Sequence, residues 1–183
     1  MAVIGLKKPV YAIAQETADA ITYNAGAVLA KAISLSAAPN VSDVKLYADD
    51  MVAEAVKSVS DVTLTLNVDD LSDEARVAIL GNTLDTNGEI VSKGDDTPPY
   101  VGLGIVAGVM RNNVRAWRAI WFTKVMFGAP TETFNTKGQN VEFQTPTLEG
   151  TALVDVTGVW KIEKLCTTEE AAITWINGKA GIS

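Results

Sequence analysis

Very few residues in this sequence have side chains that enzymes use for catalysis. The chain contains no histidine, which removes Ser-His-Asp and Cys-His nucleophile systems, imidazole metal sites and the commonest general acid or base. Cys166 is the only cysteine. It precedes a predicted helix, but no base accompanies it, so we interpret it as a structural thiol. A lone cysteine also excludes an intrachain disulfide and a thiolate metal cluster.

Three pairs of adjacent acids are the remaining catalytic candidates. They are Asp49-Asp50, Asp69-Asp70 and Asp95-Asp96. Two carboxylates held at a set distance across a cleft can hydrolyse a glycosidic bond, and a loop rich in acids can bind calcium. Adjacent acids in a strand point to opposite faces, however, and no EF-hand spacing is present. A hydrolase with paired acids is therefore the weaker alternative, and we expect no catalytic residue, no metal and no cofactor.

Two motifs that resemble ligand sites have a simpler structural interpretation. Gly102-x-Gly104-x-x-Ala107 matches a dinucleotide fingerprint, but the segment has the pattern of a strand, opens no helix and is followed by no suitably placed acid. Trp117 and Trp121, with arginines beside them, could form a stacking platform for nucleic acid or sugar. Packing of the two rings over glycines in a neighbouring strand is the interpretation we favour.

The composition indicates a folded, acidic protein. Of the 183 residues, 48% are hydrophobic and 20% are charged, which is typical of a globular chain of one domain. The net charge of −7 argues against a protein that grips nucleic acid, because phosphate binding needs clustered lysines and arginines. The mean hydropathy of +0.16 fits either a large core or apolar surface used in assembly.

No segment has the pattern of a targeting or membrane-spanning element. The first five residues precede Lys7 and Lys8, which is the wrong order for a signal peptide. The longest uncharged apolar run, residues 101–110, is about half the length needed to cross a bilayer. We therefore expect a protein that is neither inserted in a membrane nor secreted by the ordinary route.

Period-2 alternation of apolar and polar residues dominates the chain and predicts a mainly β fold. Residues 61–68 alternate without a break, and residues 29–37 and 143–155 also have strand patterns. In the second of these segments, Leu29, Ile33 and Leu35 are predicted to share one face. Pro146 places the third segment at a sheet edge or a bulge.

The clearest hairpin is predicted between residues 100 and 126. A two-residue turn at Asn112 and Asn113 suits it, because asparagine tolerates positive φ. This register predicts three cross-strand pairs: Gly108 with Trp117, Gly104 with Trp121, and Gly102 with Thr123. The second strand is apolar on both faces, so each face needs a cover, which could be a second sheet, a helix or a neighbouring subunit.

Two helices and three loops complete the predicted organisation. A mid-chain helix over residues 72–80 ends at Gly81, and a C-terminal helix over residues 168–177 opens with a capping box of Thr167 and Glu170 and closes at Gly178. We expect one domain over residues 1–183, with an extended N-terminal arm (about residues 1–25) and a long loop (about residues 40–60). Polar loops are also predicted at residues 85–99 and 129–140.

Seven sequence blocks along the chain resemble those of a known family. They are GLKKPVYA (5–12), KLYADD (45–50), VDDLSDE (68–74), PPYVGLG (98–104), KGQNVEFQTPTLEG (137–150), GVWK (158–161) and EEAAITWINGKAG (169–181). Together, in this order and spacing, they resemble the major tail proteins, or tail tube proteins, of long-tailed bacteriophages. The likeness is to the non-contractile tails of phages of Gram-positive hosts.

The resemblance implies a structural virion protein and no enzyme. Members of that family form rings, usually of six subunits, that stack into a hollow tube. Each subunit has the β-sandwich or barrel fold of the tail-tube type. Implied partners are further copies of the chain, a tape-measure protein, a tail terminator and a distal tail protein. DNA would pass through the lumen without specific binding. The implied location is the virion tail, assembled in the host cytoplasm.

Contacts between rings would then carry the function. We expect them at the block that contains Lys45, Tyr47, Asp49 and Asp50, together with Lys7, Lys8 and Tyr11 of the N-terminal arm. A solvated hairpin tip is the alternative for the first group. For the whole protein, the alternative from another class is a monomeric β-sandwich that binds a carbohydrate or peptide, which predicts a concave aromatic surface and no self-association.

Overall fold

Strands make up most of the chain in the computed structural model, which describes residues 2–48, 51–136 and 143–182. The protein is mainly β, as predicted, with 56% of residues in strands and 12% in helices. The strands are β1 (Ala2–Glu16), β2 (Ile21–Val28), β3 (Ala32–Ala48), β4 (Met51–Val68), β5 (Thr83–Leu84), β6 (Ile90–Val91), β7 (Val101–Arg111), β8 (Val114–Phe127), β9 (Thr147–Leu153) and β10 (Lys161–Cys166). The helices are α1 (Asp73–Leu80) and α2 (Glu169–Ala180).

One antiparallel sheet contains eight of the ten described strands, and β5 and β6 form a separate two-stranded sheet. The order of the larger sheet is β2-β1-β7-β8-β9-β4-β3, and β10 pairs with the first part of β8 while β9 pairs with the last part. The N–H of Leu29 donates to the carbonyl of Pro9 and so continues the pairing of β2 with β1. The sheet curls, because β2 and β3 stand at opposite ends of the order and yet are joined by residues 29–31 alone.

The inner core fills the concave side of this curl. β4 contributes four fully buried side chains on alternate positions, Val62, Leu64, Leu66 and Val68, as its alternation predicted. They pack with residues of β7, β8 and β9, for example Leu103, Phe122 and Leu148. Helix α1 adds Ala75 and Ile79 to the same core. Burial of this continuous apolar set is the main stabilising term of the fold.

The outer core lies between the other side of the sheet and α2. Trp117, Ala119 and Trp121 of β8 pack there against Ala172 and Ile176 of the helix. Both faces of β8 are therefore covered within a single chain, one by the curled sheet with α1 and the other by α2. Across the described residues, neither helix is long and apolar enough to cross a membrane.

The predicted β7–β8 hairpin is confirmed, with one local difference. Asn112 and Asn113 both have positive φ, and Gly108 pairs with Trp117 and Gly104 with Trp121. Gly102 does not pair with Thr123, because the register shifts between Val101 and Leu103. The ring of Trp121 instead covers both glycines: a Cβ on Gly102 would lie 2.3 Å from it and one on Gly104 would lie 2.7 Å away.

Two predicted strands have different faces or bounds in the structure. Ile33 is 54% exposed and does not share a face with the buried Leu29, because a register shift between Ala32 and Ser34 displaces it from the alternation. The strand predicted over residues 143–155 is shorter, since β9 runs only from Thr147 to Leu153. Pro146 lies just before it, where its carbonyl accepts the N–H of Val68.

The mid-chain helix has the predicted ends, whereas the C-terminal helix is shifted. Ser72 caps α1, which stops at Gly81 in the left-handed region. In α2 the N-cap is Thr168, not Thr167: its hydroxyl accepts the N–H of Ala171 at 3.2 Å. The helix also continues past Gly178 to Ala180, because the left-handed residue that ends it is Gly181.

The segments predicted as an arm and a long loop are strands. β1 is paired along one side with β2 and along the other with β7, so the N-terminal segment belongs to the sheet. Residues 40–60 form the outer part of the β3–β4 ladder, which pairs Val41 with Val59 and continues to Ala48 with Met51. Asp49 and Asp50 lie outside the described residues.

Candidate assembly surfaces

Residues 41–48 and 51–59, the outer part of the β3–β4 ladder, are hereafter called the projecting hairpin. β4 pairs with β9 only from Asp61 to Asn67. In the described part of the chain, no third strand pairs with residues 41–48 or 51–59. Val41 is 54% exposed and Val56 is 62% exposed. An isolated two-stranded hairpin is only marginally stable in water, which makes this segment a candidate assembly surface.

Charges inside the projecting hairpin are partly paired. The carboxylate of Asp43 lies 3.8 Å from the ammonium of Lys45 and 4.0 Å from that of Lys57, its cross-strand neighbour. Such exposed pairs contribute little energy, and the single Asp43 carboxylate balances only one of the two lysine charges. The sequence from 41 to 59 contains four acids, Asp43, Asp49, Asp50 and Glu54, and two lysines, so this part of the chain has a negative net charge.

The residues predicted to make contacts between rings lie on two separate surfaces. Lys45 and Tyr47 belong to the projecting hairpin, whereas Asp49 and Asp50 lie outside the described residues. Lys7 and Lys8 lie on β1 in the body of the protein. Tyr11, also on β1, is only 5% exposed and packs in the inner core. Burial raises the pKa of Tyr11, with a smaller contribution from the charge of Glu74. It is a core residue and not a surface contact.

A second surface, the lysine groove, lies where β1 meets the β2–β3 connection and the start of α2. It has a volume of about 330 Å³ and an apolar floor that includes Leu6, Val28 and Ile173. Its lining also includes three lysines, Lys7, Lys8 and Lys31. Lys7 is paired with Glu169 at 3.0 Å, and Lys31 reaches Asp69 at 3.7 Å while its side chain stays 90% exposed. The lining thus combines apolar contact area with an excess of positive charge.

Lys8 has the most unusual conformation in the groove. Its φ is +50°, in the left-handed region that a lysine rarely adopts, at a register shift between Lys7 and Val10 in the β1–β7 ladder. Bulges of this kind re-aim a side chain. Lys8 is half-buried, and within the described residues no carboxylate pairs with its ammonium group. The bulge thus adds an uncompensated cation to the groove.

Sequence reasoning identified two of the three groove lysines and missed Lys31. The available signal was that Lys31 is the one charged residue in the apolar segment 29–37. The pattern of that segment predicts a strand throughout, and it gives no sign of the hydrogen bond that joins Leu29 to β1. The groove lies where the β2–β3 connection runs beside β1, since the N–H of Leu29 donates to the carbonyl of Pro9.

Three strands of the eight-stranded sheet have a free edge within the described ranges. β2, β3 and β10 each pair with one neighbour only. An open edge presents unpaired N–H and C=O groups and is a template for pairing with another chain. Near the β2 edge, Ala25 also has a positive φ, +50°, which interrupts regular strand geometry there.

A polar network joins the end of β1 to the turn after β9. Glu16 accepts hydrogen bonds from Lys124 and from the N–H of Val156, and the Lys124 bond is the main reason that its pKa is lowered. Asp155 is 6% exposed and accepts bonds from Thr157 and from the N–H of Val159. Burial acts to raise the pKa of Asp155, but these hydrogen bonds outweigh it and lower the pKa. The network holds a turn and faces no cleft.

The acid pairs cap turns in the described residues. Asp69 accepts the N–H of Lys31 at 2.8 Å, the leading cause of its lowered pKa. Asp70 accepts the N–H of Leu71. Asp96 accepts the N–H of Lys93 and a side-chain bond from Asn82, and both lower its pKa. Among the residues that the structure describes, no group of three or more Cys, Asp or Glu side chains could hold a metal ion.

The tryptophans proposed as a stacking platform are enclosed in the outer core. Trp117 is 8% exposed and Trp121 is fully buried. The cations near Trp117, Lys7 at 5.3 Å and Arg115 at 4.6 Å from its ring centre, cover the rim of the core. These two rings therefore provide no open aromatic surface for a sugar or a base.

No protein-family model matches this chain, and no curated protein matches it significantly. Functional inference therefore depends on the residues and surfaces described above.

Proposed function

We propose that this protein is a structural subunit that self-assembles into stacked rings and forms a tube, as the tail tube proteins of non-contractile phage tails do. The observation that carries the proposal is the projecting hairpin, which extends the β3–β4 ladder with no described strand beside it. The resemblance of the seven sequence blocks supports the same assignment. The mainly β architecture and the free strand edges are compatible with it.

Two kinds of contact would build the assembly. Pairing of free edges between neighbouring subunits would close a ring, since an unpaired edge is satisfied by a second chain. The projecting hairpin would bridge from one ring to the next. Rings of six, stacked around a tape-measure protein and ended by tail terminator and distal tail proteins, follow from the family resemblance. The net charge of −7 suits a wall past which DNA slides without adhering.

The test replaces Asp49 and Asp50, which lie between β3 and β4 in the sequence. We expect Asp49→Lys with Asp50→Lys to prevent tube growth and to leave the subunit folded, because it exchanges two negative charges for two positive ones in the segment proposed to bridge the rings. The measurement is electron microscopy for tubes, with circular dichroism and thermal unfolding for the fold.

A matched control makes the same change in charge elsewhere. Glu89→Lys with Asp95→Lys alters two exposed acids near the small β5–β6 pair and should leave tubes intact. Normal tubes from the Asp49/Asp50 variant would refute the role of the hairpin. Loss of tubes in both variants would show that total charge, and not this contact, governs assembly.

A further inference from the structure

We propose that the turn between β7 and β8 binds a groove at the opposite end of a second copy of this chain. This inference rests on the proposed function and names a pair of surfaces that would join successive subunits. Three features carry it: the exposed cations and apolar side chains of the turn, the negative charge and exposed aromatic ring of the groove, and the distance between the two within one chain.

The turn, with its flanking residues 110–115, is hereafter the basic tip. It lies in a stretch, residues 97–131, that contains no acid. Arg111 and Arg115 are both exposed, and no carboxylate of the described residues pairs with either one. The other two cations of β8 are each paired with a glutamate of another strand. The tip therefore holds two positive charges that the rest of the described chain leaves uncompensated.

Apolar side chains accompany these cations. Val114 is 65% exposed, and Met110 and Val3 are exposed as well. Val3 lies beside the tip, because it pairs with Val109 in the β1–β7 ladder. Arginine and methionine are enriched in protein interfaces, and apolar groups that one chain leaves uncovered mark surfaces of contact. The tip thus has the composition of a docking surface.

The partner surface, hereafter the Phe134 groove, lies between the segment before α1 and the chain that follows β8. Its volume is about 220 Å³. Phe134 lines it and is 87% exposed, so an aromatic ring stands open beside it. The charged residues of the lining are Asp69, Asp70, Glu132 and Arg76. The lining therefore combines apolar contact area with an excess of negative charge.

One carboxylate of the groove stays without a cation. Glu132 is paired with Arg76, and Lys31, which is not part of the lining, reaches Asp69. The carboxylate of Asp70 accepts a backbone N–H, and no cation of the described residues pairs with it. An arginine placed there would pair with Asp70.

The tip supplies what this groove can bind. A guanidinium forms charge-assisted hydrogen bonds with a carboxylate and also packs over an aromatic face. Arg111 or Arg115 can therefore serve both Asp70 and Phe134, while Val114 covers apolar area of the ring. Complementary charge across an interface favours association and fixes its register.

The two surfaces of one chain lie too far apart to meet. Arg115 and Phe127, near the two ends of β8, are roughly 40 Å apart along the strand, since a strand rises ~3.3 Å per residue. Beyond Phe127 the chain continues in line with the β8–β9 ladder, because Thr131 pairs with Thr147, and Glu132 of the groove follows. The contact must then be between copies. Each copy has one tip and one groove, so it is a heterologous contact that propagates from subunit to subunit.

A charge-exchange experiment tests the pairing. We expect Arg111→Glu with Arg115→Glu to raise the protein concentration needed for assembly at least about tenfold. Asp70→Lys with Thr133→Lys, which changes two exposed residues of the groove, should do the same. The variant with all four substitutions restores opposite charges across the contact, and we expect it to assemble at close to the wild-type concentration. The readouts are light scattering and electron microscopy over a concentration series.

A mixture of the two double variants tests the contact without tubes. Each variant keeps the surface that the other has lost, so the tip of one can still bind the groove of the other. We expect sedimentation velocity to show a larger species in the equimolar mixture than in either variant alone. A mixture that sediments like its components would overturn the pairing.

Controls separate a failed contact from a failed fold. Arg115 lies over the ring of Trp117, whereas Arg111 has no such contact, so Arg111→Glu alone should weaken assembly in the same direction without affecting stability. Glu89→Lys with Asp95→Lys makes the same kind of charge change outside the groove and should assemble like the wild type. Circular dichroism and thermal unfolding of every variant establish that the subunit is folded.

The outcomes distinguish this inference from the proposed function. Wild-type tubes together with unimpaired tubes from the Arg111/Arg115 variant would overturn the pairing, assign the tip to another partner and leave the proposed function standing. Loss of assembly in both double variants without rescue in the fourfold variant would also overturn the pairing. Wild-type oligomers that depend on both surfaces but never form tubes would support the pairing and contradict the proposed function. A wild type that stays monomeric at every concentration would contradict both.

Discussion

Replacement of Gly26 by alanine is the sharpest test of how α2 is seated on the sheet. Gly26 lies in β2 beneath the end of the helix, and a Cβ there would be 2.1 Å from the carbonyl oxygen of Ala180 and 2.9 Å from the side chain of Ile182. Ordinary contact begins near 3.4 Å, so the helix end would have to retreat by about 1.3 Å. Ala180 and Ile176 are fully buried, and this retreat would loosen both.

Overpacking of this kind costs about 1–3 kcal/mol. With a urea dependence of about 2 kcal/mol per molar, the unfolding midpoint should fall by about 0.5–1.5 M. Fluorescence reports the transition, because Trp117 and Trp121 lie beneath the helix. The measurement should be made at a concentration too low for assembly. Unchanged stability would refute the close seating of α2 on β2.

Gly178→Ala is the matched control in the same helix. A Cβ at Gly178 would have no neighbour within 4 Å, and its backbone is not left-handed. The alanine should therefore stabilise the protein by about 0.5–1 kcal/mol, through the lower helix propensity of glycine. If the change in unfolding free energy has opposite signs at Gly26 and Gly178, it cannot come from a general effect of alanine.

Two further predictions concern stability. Thr168→Ala should cost about 1 kcal/mol, because it removes the hydroxyl that caps α2, whereas Thr167→Ala should be nearly neutral; equal effects in urea unfolding would refute the assigned cap. The Asp155 carboxylate has a lowered pKa, so its stabilisation is complete above the ordinary value of 3.8 and is lost as pH falls through the folded value below it. Asp155→Asn should accordingly reduce the loss of stability measured as the pH falls below about 4, and an unchanged pH profile would contradict this.

Sequence pattern predicted those elements whose signal is local. The alternation of β4 identified its four core residues, because a strand with one face buried must alternate. Asn112 and Asn113 located the β7–β8 turn, because few residues adopt positive φ easily. The position of the turn fixes the cross-strand register, which correctly predicted that Trp121 pairs with Gly104.

Other features could not be predicted, because their causes lie in tertiary contacts. The projecting hairpin was interpreted as a loop, since strands exposed on both faces show no alternation of burial. Ile33 was assigned to the wrong face because a bulge, set by pairing with β4, interrupts the pattern. Lys31 lines the same groove as Lys7 and Lys8 because the β2–β3 connection runs beside β1, which is a tertiary contact. Thr167 and Thr168 are equally good caps in sequence, and the start of α2 decides between them.

Electron microscopy of the purified wild-type chain over a concentration series, with light scattering on the same samples, tests the central claim most directly. The proposal predicts a concentration above which scattering rises and hollow tubes or six-membered rings fill the field. A monodisperse monomer at every concentration would contradict self-assembly and favour a monomeric binding module.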